Sequence, residues 1–275
     1  MRQPRPRGTD IDPNRLNDWL EDFGGYRHQV SESRIMRWLG QFDANHKELA
    51  ARILDCVDFV SRDRIAQAYR SLLKDLPGWS MNATERSGKW RFVPFSGSAG
   101  ESGDALLYDF RLANRMDNQR YNELFVSARD LLRENLNVGD NVVFVDDFAG
   151  TGNHVCQAWV KDMAELLPGG PNTYLLLVAA SSAARQAISQ TTNLTVARSI
   201  ELTEADNIFS DHCHYFDAGE KTAILAYGKK ADKRVPKGYG ECGFVIVFAH
   251  RCPNNTIPIL HANGKKWVGL FRRHH

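Results

Sequence analysis

No stretch of the 275-residue chain approaches the roughly 18 uninterrupted apolar residues that a membrane span requires, and the basic start MRQPRPRGTDIDP has no apolar segment behind it. The expectation is a soluble, unexported protein of the cytoplasm with no membrane association. Cysteine is sparse. Cys56, Cys156, Cys213, Cys242 and Cys252 are odd in number, scattered, and never in CxxC spacing, which speaks against a disulfide framework and for a reducing compartment. A fixed-period repeat is also missing, which excludes a solenoid. Compositional bias is missing too: apolar residues make up 43% and charged residues 25%, so the chain folds by burying a core. Its length suits one large α/β domain, or a domain of about 200 residues with a helical annex.

Net charge is small, with 35 basic against 33 acidic residues, yet it is unevenly spread. Residues 81–227 carry 12 basic and 19 acidic side chains, whereas residues 228–275 carry 10 and 2. A basic tail of that kind suits phosphate, nucleic acid or an acidic partner surface, and equally a solvated face. Partner docking through a nucleic acid is the favoured expectation, with Lys229, Lys230, Lys233, Lys265 and Lys266 as its contacts.

The first 80 residues read as helices. Leu49, Ile53, Val57 and Val60 recur at helical steps, as do Ile65, Ala68, Tyr69, Leu72, Leu73 and Leu76 before Pro77-Gly78. Shorter amphipathic pieces surround Leu16/Trp19/Leu20/Phe23 and Ile35/Trp38/Leu39/Phe42. After Trp79 the pattern changes. KWRFVPF (89–95) reads as a strand, SGSAGESGD (96–104) as a loop, and 105–132 as a long helical stretch. Continuous apolar runs at 142–145, 173–180 and 243–249 read as strands buried on both faces of a parallel sheet, with helices between them. The expected fold is α/β, a mostly parallel sheet flanked by helices over 85–275, with a helical annex over 1–84.

The segment VVFVDDFAGTGNH (142–154) carries the chemistry. It puts Asp146 and Asp147 at the carboxyl end of a buried strand, then a loop of small residues, then a helix. Ligands of open α/β sheets bind beyond the carboxyl ends of the strands, and the N–H groups of a helix start receive phosphate. Two adjacent carboxylates accept hydrogen bonds from vicinal ribose hydroxyls, directly or through magnesium. An acidic pair capping an ordinary strand–helix turn is the plainer alternative.

This segment resembles the phosphoribosyl-pyrophosphate loop of type I phosphoribosyltransferases. The resemblance implies that Asp146 and Asp147 hold the ribose 2′- and 3′-hydroxyls, with magnesium at these carboxylates or carried by the substrate. Ala149, Gly150, Thr151, Gly152 and Asn153 would wrap the 5-phosphate. It further implies a pyrophosphate cradle after the first strand, at Ser96, Gly97, Ser98, Gly100, Ser102 and Gly103, residues that also suit a plain solvent loop. One departure stands out: where purine-using relatives often carry an acid inside the phosphate loop, this chain has Ala149 and Gly150.

The helical front and the end, with Pro253-Asn254-Asn255, Pro258, Trp267 and Leu270-Phe271-Arg272-Arg273, resemble a divergent phosphoribosyltransferase-like group of bacterial conflict and antiphage systems, some encoded beside retron reverse transcriptases. That implies a toxic effector acting at ribose C1, or an inactive nucleotide-sensing or scaffolding module, with a retron reverse transcriptase and its hybrid as partner. His212-Cys213-His214 with Cys242 and Cys252 suggests zinc only weakly for want of ligand spacing, and Arg185 reads as a surface arginine or a phosphate contact.

Overall fold

A computed structural model describes residues 13–95 and 103–273. In chain order the elements are α1 (Pro13–Phe23), α2 (Glu32–Leu39), α3 (Lys47–Asp55), β1 (Asp58–Val60), α4 (Arg62–Lys74), β2 (Trp90–Pro94), α5 (Gly103–Ala113), β3 (Asn141–Ala149), α6 (Asn153–Ala158), β4 (Asn172–Ser181), α7 (Ser182–Thr191), β5 (Thr195–Leu202), α8 (Ala218–Ala231), β6 (Ile246–Phe248) and α9 (Pro258–His261). The chain forms two compact units, 1–62 with 202–275, and 63–201.

The unit of residues 63–201 holds the sheet β2-β3-β4-β5. β2 pairs with β3 and β3 with β4 in parallel, registering Phe92 on Val143, Phe144 on Leu175 and Ala149 on Ala180. Parallel strands need both faces covered, and the apolar runs supply this: residues 142–145 and 175–180 are wholly buried. On one face Val155, Trp159 and Met163 pack with Phe144, Leu177, Ala184 and Ile188. The helix that carries them is α6 continued by a π turn at Trp159–Met163 and a 3-10 turn at Ala164–Leu166. The α/β reading with a parallel sheet flanked by helices therefore holds.

The other unit joins both ends of the chain. β1 pairs in parallel with β6, Phe59 opposite Val247, and one core contains Trp19, Phe23, Ile35, Trp38, Leu49 and Ile53 together with Ile259, Trp267, Leu270 and Phe271. Phe23 meets Phe271 edge to face with centroids 5.0 Å apart. Trp38 and Trp267 donate their indole N–H groups to one carbonyl, that of Ile259, at 2.7 and 2.9 Å.

Several local expectations change. The stripe read through Val57 and Val60 is helical only to Asp55; Val60 lies in β1, Asp58-Phe59-Val60, whose backbone is satisfied by parallel pairing with β6 and whose Phe59 and Val60 suit a buried strand. The run 243–249 contributes only Ile246–Phe248 as a strand, and it pairs with β1 outside the larger sheet. The stretch 105–132 is not one helix: α5 stops at Ala113, Arg115 turns left-handed at φ 57°, and 3-10 turns follow at Gln119–Leu124 and Ala128–Glu134. Asn118 caps the first of these, accepting from the Arg120 N–H at 3.2 Å, a local bond that competes with helix continuation. Compactness also divides the chain elsewhere than at 84/85, because α1–α3 share their core with residues near the C-terminus.

Candidate functional site

β3 delivers the acidic pair into the turn that starts α6. Pairing with β2 is described up to Pro94 opposite Val145, and the Phe95 N–H donates to the Val145 carbonyl at 2.9 Å, so the chain leaves β2 beside the first of the two acids. Strand alternation puts Asp146 on the face of Val142 and Phe144 and Asp147 on the opposite face. Both carboxylates are buried, Asp147 completely. The Asp147 N–H donates to Asp146 Oδ1 at 2.8 Å, which fixes the first carboxylate against its own strand.

Ala149 closes the strand opposite Ala180, and Gly150, Thr151 and Gly152 make the turn. Gly152 is the residue before α6 and has φ 77°, a conformation that costs glycine little. A Cβ there would also lie 2.9 Å from the Ala184 carbonyl of α7. Gly152 is thus required by helix packing as well as by the turn. Thr151 Oγ1 accepts from the Asn153 N–H at 3.3 Å, and Asn153 is exposed. Ser181 lies outside the sequence reading yet ties the turn down: its hydroxyl donates to the Gly150 carbonyl at 2.6 Å and accepts from the Ala184 N–H at 2.8 Å as the cap of α7. The signal was present, a serine between a buried strand and a helical stretch.

Of the second loop, Ser96, Gly97, Ser98, Gly100 and Ser102 lie outside the described residues. Gly103 is the first residue of α5 and is buried. Against this geometry the PRTase-CE family model matches residues 35–273. The chain belongs to the PRTase-CE family. This is a phosphoribosyltransferase-type assignment, and the match spans both compact units. Among curated proteins none matches.

Elsewhere in this PRTase-CE protein the remaining candidates separate from the β3–α6 turn. Arg185 of α7 pairs with Glu201 at 3.4 Å on a half-exposed surface. His212 faces Glu204 at 3.1 Å in solvent, whereas Cys213 is buried in the aromatic core of its own unit. All five cysteines are free thiols, and burial pushes those of Cys56 and Cys252 up to about 12. Among the described residues no group of three or more His, Cys, Asp or Glu side chains converges as a metal cluster. Trp267, Leu270 and Phe271 are core residues, and Asn255 Nδ2 donates to the Tyr239 carbonyl at 3.0 Å. No helix among the described residues is long and apolar enough to cross a membrane.

Proposed function

We propose that the protein is an enzyme that binds phosphoribosyl pyrophosphate, or a related ribosyl phosphate, at the β3–α6 turn and transfers or cleaves at the anomeric carbon. The observation that carries this reading is the delivery of two buried carboxylates by β3 directly into a glycine turn and helix start. Asp146 and Asp147 hold the ribose hydroxyls, and residues 149–153 receive the 5-phosphate through backbone N–H groups. Chemistry at that carbon passes through an oxocarbenium-like state, so the work of the chain is positioning and neutralisation of the departing phosphates. The donor set fits magnesium: β3 supplies hard carboxylate oxygens at Asp146 and Asp147, and an ion that keeps few protein ligands is completed by substrate oxygens. When bound, magnesium would neutralise the phosphate charge.

The resemblance to conflict-system proteins supports a toxic effector role in antiphage defence. Ala149 and Gly150 are both buried and supply no acid, which favours one second reading, a nucleotide-sensing module without turnover. Titration of full-length protein with phosphoribosyl pyrophosphate and magnesium tests binding, and release of pyrophosphate separates the two readings. Asp146→Asn with Asp147→Asn should weaken binding by at least about tenfold, with the near-UV circular dichroism retained. Undiminished affinity in a folded double variant would overturn the assignment.

A further inference from the structure

The charge excess near the C-terminus does not form a loose tail. The last turn of α8, the segment after it and the turn bridged by Asn263 and Val268 wall a cleft of about 610 Å³, with Lys230, Lys233, Arg234, Lys265, Lys266 and Arg273 around it. One carboxylate, Asp232, lies among them and is already engaged, 3.4 Å from Arg234. Among the described residues the other five cations have no carboxylate partner. Exposed lysines can swing into solvent to relieve their repulsion. Arg273 cannot: it is half-buried, and burial and then neighbouring Arg251 hold its guanidinium below the usual range. The Gly264 N–H donates to the Trp267 carbonyl at 2.9 Å, so Lys265 and Lys266 stand at the tip of a closed turn.

The lining chemistry narrows the ligand. A concavity of this size belongs to the range of small-molecule sites, whereas a duplex needs an extended surface that tracks its backbone. No stacking platform is offered, since Trp267 is buried with its indole N–H committed to Ile259. We propose that this cleft is a binding site for a small polyphosphate anion, a molecule of nucleotide size with two or more linked phosphates, recognised by charge and not by its base. It is built from elements other than the β3–α6 turn and stands independently of the function assigned there.

Calorimetric titration of the full-length protein with inorganic tripolyphosphate, at about 0.15 M salt, tests this. Substitution of Lys230, Lys233, Lys265 and Lys266 by Gln changes only exposed side chains, and its melting curve reports the fold. That variant should bind tripolyphosphate at least about tenfold more weakly. No binding to wild type, or binding that the glutamine variant keeps, overturns the cleft. A DNA duplex that binds wild type, is lost in the glutamine variant and is not displaced by tripolyphosphate would make the cleft part of a polynucleotide surface, again against the proposal.

Discussion

Single residues show how strongly this fold depends on satisfying its buried charges. Asp55 is 1% exposed at its side chain and receives Arg15 Nη2 at 2.6 Å and the Trp19 indole N–H at 2.9 Å, while Arg15 also reaches Glu48 at 2.8 Å. Removing Asp55 leaves the buried Arg15 guanidinium and the Trp19 indole N–H short of an acceptor, which typically costs about 3–5 kcal/mol. Asp55→Ala should therefore lower the urea midpoint sharply, and Asp55→Asn, which keeps an acceptor for Trp19, less so. A midpoint within error of wild type for the alanine variant would contradict the geometry. His261 offers a pH test. Its Nε2 lies 3.0 Å from the Thr256 carbonyl, and burial, then the charge of Arg273, lower its pKa to about 4, against some relief from Asp232. Because the folded value lies below the unfolded one, its neutral form supplies stability that is present above about pH 6.5 and is lost as pH falls toward 4. Thermal melts should show a decline over that window on the order of 3 kcal/mol, reduced in His261→Gln.

At the scale of elements, propensity and packing can be set against each other in α8. Asp217 accepts from the Glu220 N–H at 2.9 Å and Glu220 accepts from the Asp217 N–H at 3.0 Å, a reciprocal cap that starts the helix. Lys229 and Lys230 occupy its last turn, where they complement the dipole. Gly228 lies between. Intrinsic propensity says that alanine there would stabilise the helix by about 1 kcal/mol, but a Cβ would lie 2.2 Å from the Pro236 carbonyl. Backbone cannot yield as a flexible side chain does, and overpacking costs about 1–3 kcal/mol. Gly228→Ala should thus lower the melting temperature by several degrees; a rise would mean that propensity governs and that the contact with the 232–236 segment relaxes freely.

For the whole molecule, the consequence of joining both chain ends in one core is cooperative dependence. α1 and α2 place Trp19, Phe23, Ile35 and Trp38, each at most 1% exposed, against residues that include Trp267 and Phe271. Truncating one such side chain costs about 2–5 kcal/mol, and a domain has only about 5–15 kcal/mol in total. Deletion of residues 1–40 should therefore unfold the unit that contains 202–273, seen as loss of near-UV dichroism and of hydrogen-exchange protection there, although the sequence reading treats residues 1–84 as a helical annex. Protection retained after this deletion would show that the annex reading is right.

What the sequence determines alone is local in origin. Short apolar runs such as 142–145 and 174–180, bounded by turn residues, fit strands covered on both faces of a parallel sheet, and the order of acids, glycines and helix start at 146–153 is visible because all of it lies within one turn of chain. The acidic pair, the glycine turn and the family resemblance were legible for that reason. Tertiary structure decides what depends on distant partners. Val60 leaves its helical stripe because β6, far along the chain, completes its ladder. Ser181 matters because it meets Gly150 across the sheet edge, and the lysines of 228–275 acquire a shared cleft only once the turn after α9 folds beside the end of α8. Periodicity records which face of a segment is apolar. It carries no information on which remote segment will cover that face, because many partners satisfy the same burial and the choice follows from the packing of the whole chain.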